Sequence, residues 1–230
     1  MAYILNIESS TNICSVCVSN DGQMLSIRET FANEHASAIT ILIEKCLEEA
    51  ALKMTDLSAV AISNGPGSYT SLRVGGSTAK GICYALNIPL IAIDTLESLA
   101  LAAYQKLQDA SAFYCPMIDA RRMEVYAAIY KIENGRMVLH EPTAPLIITH
   151  ETFKRFTDVG KRLILCGNGA AKCEPYLMPD RVIDASILCS AAHMVPLSKA
   201  CYDIEIFVDV AYHTPQYLKA ANITVAKNKL

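Results

Sequence analysis

The chain has 230 residues, of which 52% are hydrophobic and 19% charged, and its formal net charge is −3. This composition allows a full hydrophobic core and argues against a stand-alone nucleic-acid-binding protein, which usually carries a basic patch. No apolar run reaches the roughly 18 residues of a membrane helix, and no basic segment precedes the apolar stretch that ends at Glu8. We therefore expect a cytoplasmic protein that makes no membrane contact.

The first half of the chain predicts a three-stranded meander followed by alternating helices and strands. Asn20-Asp21-Gly22 favours a hairpin turn, and the helices show apolar residues at helical spacing. The predicted order is β-β-β-α-β-α-β-α, with strands at 3–7, 13–18, 23–30, 58–63 and 89–93 and helices at 36–52, 70–86 and 96–108.

The second half partly repeats this order, which predicts a duplicated α/β fold with lobes at 1–108 and 109–230. The last residues are free to pack back on the first lobe. Pro196 is expected to break or kink the last helix. The predicted strands are 112–119, 124–132, 136–139 and 162–166, and the predicted helices are 149–156, a weak helix ending at 172, and 185–201.

The chain has nine cysteines, an odd number that disfavours a disulfide framework in an intracellular protein. Cys14 and Cys17 form a CxxC pattern, but they fall in a predicted strand. Residues three apart in a strand point to opposite faces, so a zinc or redox role is disfavoured. We expect small, buried, apolar cysteines.

Two polar turns could bind a phosphate. The first is Glu8-Ser9-Ser10-Thr11-Asn12, a carboxylate at a strand end followed by hydroxyl residues. Its local sequence favours an ordinary hairpin turn over a phosphate loop. The second is Asn64-Gly65-Pro66-Gly67-Ser68-Tyr69-Thr70, which precedes a helix but lacks the Lys of a P-loop. Helix capping by Ser68 or Thr70 is the favoured role there.

The helix that follows carries small residues every four positions: Ser71, Gly75, Ala79 and Cys83, with Gly76 beside Gly75. Each interior glycine costs roughly 1 kcal/mol relative to alanine. A ridge without bulk allows a second helix to approach closely, either from the same chain or from a partner chain.

Two further clusters were candidates for chemistry. His35 precedes the first helix, but Ile39 stands where a second metal-binding histidine would lie, so a metal site is not expected. Asp119, Arg121 and Glu124 lie at a strand-turn-strand corner, where an internal salt bridge is favoured over a ligand site. No Gly-x-Ser-x-Gly elbow is present for a serine nucleophile.

Taken in order, these motifs resemble those of the TsaB (YeaZ) family, and the resemblance covers nearly the whole chain. Residues 4–11 resemble the family's "ILxIDTS" opening, and Glu34-His35 resembles its entry to the first helix. Residues 65–75 are similar to "GPGSFTGLRIG" and residues 119–126 to "DARRxEVY". Residues 167–170 and 215–219 resemble the "GxGA" and "PxYLR" elements.

The resemblance implies an actin/Hsp70-like ATPase fold with two similar lobes. It also implies a catalytically silent partner of TsaD, which transfers threonylcarbamoyl to adenosine-37 of tRNA, in a ternary complex with the ATPase TsaE. TsaC supplies the threonylcarbamoyl-adenylate. The chain is expected to contact tRNA only indirectly and to form a homodimer when alone.

The resemblance also assigns residues. A vestigial nucleotide site would comprise Glu8, Ser9, Ser10, Thr11, Asp119, Arg121, Gly167 and Gly169. The first two helices would form the partner interface, which favours the inter-chain explanation of the glycines. Its expected residues are His35, Ile39, Ile43, Tyr69, Leu72, Gly75, Gly76, Ala79 and Cys83.

The chain departs from the family pattern at Glu8, where aspartate is usual, at Ser71, where glycine is usual, and at Lys219, where arginine is usual. The first two weaken the case for bound ATP or ADP, and no cofactor is expected. The alternative is an autonomous ATP-binding enzyme or an M22-type metallopeptidase of the same fold. A weaker alternative, a sugar-kinase-like enzyme, would need a catalytic aspartate such as Asp94 or Asp119.

Overall fold

The computed structural model describes residues 1–31, 35–149, 151, 152, 154, 162–176, 181–184 and 186–219. The first half contains β1 (Tyr3–Glu8), β2 (Cys14–Asn20), β3 (Gln23–Thr30), α1 (His35–Glu49), β4 (Ala59–Ser63), α2 (Tyr69–Leu86), β5 (Leu90–Ile93) and α3 (Thr95–Leu107). The second half contains β6 (Phe113–Asp119), β7 (Glu124–Glu133), β8 (Arg136–Ile147), β9 (Leu163–Cys166), β10 (Arg181–Asp184) and α4 (Ala191–Asp203). Short 3₁₀ helices lie at Met54–Asp56 and Ala170–Tyr176.

The two halves build two sheets with the same internal arrangement. The first sheet has the order β3-β2-β1-β4-β5, and the second has the order β8-β7-β6-β9-β10. In each sheet the first three strands form an antiparallel meander, and the remaining two continue parallel to its first strand. The predicted duplication and the actin/Hsp70-like α/β fold are therefore confirmed.

Helices cover both faces of the first sheet. On one face, Ile39 of α1 and Ala79 of α2 belong to the same core as Leu5 and Ile7 of β1. On the other face, Met194 of α4 packs against residues of β1, β4 and β5. Both faces of the sheet are thus buried, which explains why the central strands are almost wholly apolar.

One helix from each half of the sequence packs on the sheet of the other half. Although α3 belongs to the first half, its Leu96 and Leu99 share a core with Tyr114 and Ile164 of the second sheet. In return, α4 from the second half packs on the first sheet. The two sheets lie on either side of residue 109, whereas α3 and α4 each pack across this division.

The second half departs most from prediction. The edge strand β8 continues to Ile147 through Pro142 and Pro145, because an edge strand tolerates the missing N–H groups. The last helix begins at Ala191 rather than at 185, since Ser190 caps it by accepting a hydrogen bond from the N–H of Ala192. Strand β10 was not predicted, and the predicted helix at 149–156 falls largely outside the described residues.

Pro196 neither breaks nor ends α4, which continues to Asp203. It lies in the second turn, where it removes only the single backbone hydrogen bond to the carbonyl of residue 192. Within the described part of the chain, none of the helices has the length and apolarity needed to cross a membrane.

All nine cysteines are free, and eight of them are buried. Cys14 lies in the core beneath α1, whereas Cys17 lies on the opposite face against Ala191 and Val195 of α4. Burial raises the pKa of the Cys14 thiol to about 11 and that of Cys17 to about 12. The CxxC pattern is therefore a pair of core residues on opposite faces, as predicted.

Candidate functional site

The first candidate loop begins at Glu8, the last residue of β1, and its side chains are buried. Ser9, Ser10 and Thr11 are 2%, 1% and 6% exposed, and Glu8 is fully buried. The Glu8 Oε1 atom accepts a hydrogen bond from the N–H of Ser10 at 2.6 Å, whereas Oε2 has no partner among the described residues. Burial raises the pKa of the Glu8 carboxyl, and the hydrogen bonds from Ser10 oppose this rise only in part.

Three other segments cover this loop. The N–H of Ser68 donates to the Ser10 carbonyl at 2.7 Å, and a Cβ atom on Gly67 would lie 2.4 Å from the same oxygen. A Cβ atom on Gly75 would lie 2.3 Å from Ser9 Oγ. From the second half, Cys189 Sγ lies 3.6 Å from Ser10 Oγ. The loop therefore has the shape of a phosphate loop, but the chain itself fills the space a phosphate would need.

The second candidate loop joins β6 to β7. Asp119 Oδ1 accepts hydrogen bonds from Lys172 Nζ and from the N–H of Arg121, both at 2.6 Å. Lys172 Nζ also donates to the Glu124 carbonyl at 2.9 Å, and the Glu124 carboxylate forms an ion pair with Lys219. The predicted internal salt bridges are present, but two lysines supply the cations and the side chain of Arg121 does not.

The third candidate loop contains Gly167 and Gly169. Gly167 has φ +89°, and a Cβ atom there would lie 2.3 Å from the Met117 carbonyl oxygen. Its N–H donates to the Ile187 carbonyl at 3.0 Å, and the N–H of Gly169 donates to the Met117 carbonyl at 3.1 Å. These glycines allow the loop to pack closely on β6, so their backbone N–H groups are already occupied.

Most residues predicted for the partner interface are buried inside the chain. Their side chains belong to the chain's own core, because α1 and α2 turn their apolar faces towards the first sheet; the buried members are Ile39, Ile43, Leu72, Ala79 and Cys83. The interface role predicted for these five is therefore wrong. Gly75 also faces inward, against Ser9, whereas a Cβ atom on Gly76 would meet no described atom within 4 Å.

Two interface candidates remain. Tyr69 is partly exposed at the start of α2, and the side chain of His35 lies outside the described residues. No metal site was expected, because Ile39 stands where a second metal-binding histidine would lie. The side chain of Ile39 is 1% exposed and lies in the core. Among the described residues, no group of three His, Cys, Asp or Glu side chains is arranged to hold a metal ion.

The last part of the described chain packs back on the first lobe, which is the position expected for the last residues. Residues 208–219 run along the first lobe, beginning with a hydrogen bond from the N–H of Val208 to the Leu90 carbonyl at 2.9 Å. The N–H of Gln216 donates to the Asn64 carbonyl at 2.7 Å, and the ring of Tyr217 lies 4.7 Å from that of Tyr69. We call residues 208–219 the C-terminal strap; its last residue, Lys219, reaches Glu124 of the second lobe.

Comparison with known proteins identifies the family. A family model described as "TsaD: tRNA N6-adenosine threonylcarbamoyltransferase" matches residues 27–220. The TsaB protein of Buchnera aphidicola from Schizaphis graminum is 31% identical over 169 residues, which cover 74% of this chain and 80% of the relative. The chain is a TsaB-type member of the TsaD family.

Other relatives agree with this assignment. Escherichia coli TsaB is 27% identical over 219 residues, covering 94% of both chains. The crystal structure of YeaZ from Pseudomonas aeruginosa superposes with a TM-score of 0.82 at 27% identity, covering 95% of this chain and all of that one. A tRNA N6-adenosine threonylcarbamoyltransferase from Streptococcus mutans is 35% identical over 118 residues, but these cover only 44% of this chain and 35% of the enzyme.

Proposed function

We propose that the chain acts in tRNA threonylcarbamoyladenosine biosynthesis as the non-catalytic partner of a TsaD-type transferase. The names of its TsaB relatives support the process, and its kinship with TsaD supports the partner. Three local observations support the non-catalytic role: the loop after β1 is covered by α2 and by Cys189, the Asp119 carboxylate is paired with Lys172, and the N–H groups of Gly167 and Gly169 are bonded to carbonyls of the chain. We also propose a cytoplasmic location, a ternary complex with TsaE and a homodimer in the absence of TsaD.

The described part of the chain offers no site for the competing enzymatic functions. The hydroxyl groups of Ser9 and Ser10 are covered by α2 and by Cys189, so they cannot receive a phosphate unless these segments move. The Asp119 carboxylate is neutralised by Lys172. A metallopeptidase of this fold would need a metal ligand near position 39, where the buried Ile39 contributes to the core. An autonomous ATPase or peptidase is therefore not favoured.

The exposed surface of α1 and α2 is the proposed partner interface. Ile41 of α1 is 49% exposed and Tyr84 of α2 is 85% exposed, so each offers apolar surface to a partner. Gly76, Lys80 and Tyr84 are spaced four residues apart and therefore lie on one ridge of α2. Gly76 is buried, but a Cβ atom there would meet no described atom within 4 Å, so this position carries no bulk that would keep another helix away.

Reconstitution tests the proposed function. Purified TsaD, TsaE, threonylcarbamoyl-adenylate and a tRNA substrate are assayed with and without this chain, and modified adenosine is quantified. We expect the chain to raise the yield and to show no activity when TsaD is omitted. Unchanged yield on addition of the chain would contradict the proposal, as would modification without TsaD. Titration with magnesium-ATP in a calorimeter should give no binding heat.

A matched pair of variants tests the interface. Ile41→Asp places a charge on the proposed surface, whereas Leu139→Asp places one on β8 at a similar exposure of 51%. We expect Ile41→Asp to abolish capture of TsaD in a pull-down and Leu139→Asp to leave it unchanged. Both variants should keep the thermal stability of the parent chain. Equal capture by the two variants would remove α1 from the interface.

A further inference from the structure

We propose that an exposed basic surface at the junction of the two lobes contacts the phosphate backbone of tRNA directly. This inference rests on the proposed function, and it revises the expectation that tRNA is contacted only through partners. The surface, called here the junction surface, combines two tyrosine rings with free guanidinium groups. Its members are Tyr69, Arg73, Arg121, Arg122 and Tyr217.

The turn between β6 and β7 presents two arginines in an unfavourable backbone conformation. Arg121 has φ +71° and Arg122 has φ +50°, in the left-handed region that non-glycine residues rarely adopt. Both side chains are exposed and have no ion-pair partner among the described residues. The neighbouring carboxylate of Asp119 is already paired with Lys172, and that of Glu124 with Lys219. The turn therefore presents two guanidinium groups that the lobe itself does not neutralise.

A second part of the junction surface lies where the C-terminal strap crosses the start of α2. The Arg73 guanidinium carbon lies 4.3 Å from the centre of the Tyr69 ring and 5.8 Å from that of Tyr217. Arg73 Nε donates to the Tyr217 hydroxyl at 3.3 Å, and the terminal nitrogens have no partner among the described residues. Stacking on the rings holds the guanidinium in place, which leaves its terminal nitrogens free to bind a phosphate oxygen.

The strap joins the two parts. Lys219 follows Tyr217 by two residues, which is at most about 7 Å of extended chain, and it contacts Glu124, two residues after Arg122. The residues named here comprise five basic side chains and the two carboxylates that pair with two of them, in a chain whose net charge is −3; the basic residues are Arg73, Arg121, Arg122, Lys172 and Lys219, and the acidic ones are Asp119 and Glu124.

RNA fits this surface better than an acidic protein does. Guanidinium groups bind phosphate oxygens through paired hydrogen bonds, and tyrosine rings stack on unpaired bases. An acidic protein surface would use the charges but not the rings. The alternation of rings and cations is typical of surfaces that follow a single-stranded segment or a loop of RNA.

Fluorescence anisotropy tests the proposal, using the complex of the full chain with TsaD and a fluorescently labelled tRNA transcript. The double variant Arg121→Gln and Arg122→Gln is compared with Arg136→Gln. Arg136 is also exposed and follows a hairpin turn, but it lies at the opposite end of β7, roughly 30 Å away. We expect at least about a five-fold loss of affinity for the double variant at low salt and no loss for Arg136→Gln.

The salt dependence separates direct phosphate contacts from indirect effects. The slope of log affinity against log salt concentration should become shallower by about one unit for each arginine removed. Tyr217→Ala should weaken binding because it removes a ring that stacks on Arg73, and Tyr217→Phe should retain most of the affinity because the ring remains. An unchanged slope for the double variant would overturn the proposal. So would competition by polyglutamate as strong as that by unlabelled tRNA, which would indicate an acidic protein partner.

Capture of TsaD is measured on the same samples. If the parent chain fails to capture TsaD, the proposed function itself fails. If the parent chain captures TsaD and the arginine variant does not, the arginines belong to the protein interface and the RNA contact is refuted. Normal capture by the arginine variant, together with weakened tRNA binding, supports the proposal.

Discussion

Two adjacent glycines of α2 should respond in opposite ways to the same substitution. At Gly76 no described atom lies within 4 Å of an added Cβ, so Gly76→Ala should gain the helix propensity of alanine, about 1 kcal/mol. At Gly75 the added Cβ would lie 2.3 Å from Ser9 Oγ and 3.2 Å from Ser9 Cβ. Overpacking of this kind costs about 1–3 kcal/mol, so Gly75→Ala should lose about 0–2 kcal/mol after the same gain in propensity.

Urea unfolding measures this difference directly, because the two variants add the same methyl group to neighbouring positions of one helix. The free energies of unfolding should differ by about 1–3 kcal/mol, or roughly 2–12 °C in melting temperature. Combining Ser9→Gly with Gly75→Ala should recover most of the lost stability by removing the overlapping atoms. If Gly76→Ala is as destabilising as Gly75→Ala, the assignment of a close contact to Gly75 and of free space to Gly76 is wrong.

Three other measurements test the buried site and core. Burial raises the pKa of Glu8, so the parent chain loses stability as pH rises above 4.5 and through the folded-state pKa. Glu8→Gln should therefore stabilise the fold increasingly above pH 4.5 and have no such effect below it. Urea titrations at several pH values would show this difference. A disulfide reagent should find at most one fast-reacting thiol, Cys201, and Cys201→Ala should remove it. Ile39→Ala should cost about 2–5 kcal/mol in the same unfolding assay.

The sequence predicted the first half of the fold closely, because its signals are local. Asn20-Asp21-Gly22 marks a hairpin, and the helices keep a regular apolar period. The second half was harder to predict. Strand β8 runs through two prolines that only an edge strand can accept, and α4 begins late because Ser190, rather than propensity, sets its first turn. The packing of α4 against the first lobe depends on contacts between residues distant in sequence, and the apolar period of a helix does not predict such contacts.

The candidate loops show a second limit. Residues 8–11, 119–124 and 167–169 do lie at strand ends, as their composition predicted, but sequence cannot tell whether such a loop is open or filled. The filling groups come from α2, from the segment before α4 and from Lys172 and the C-terminal strap. The similarity of Pro215–Lys219 to a family element marked the strap as important, and the expectation that the last residues pack back on the first lobe gave its approximate position.

Five residues predicted for the interface are buried in the core, for a physical reason that also shows how to choose better candidates. A row of small residues lets another element approach a helix closely, whether that element is a strand of the same chain or a helix of another chain. The spacing of small residues alone therefore cannot distinguish a core face from an interface. Gly75 and Gly76 are both buried, but only at Gly76 would an added Cβ atom meet no described atom within 4 Å. Large apolar side chains that are exposed help to locate an interface. Ile41 and Tyr84 are exposed in this way, but they were overlooked because they do not follow the helical spacing of the apolar residues. On a helix whose periodic face is buried, the apolar residues that break the period are therefore the better candidates for a partner surface.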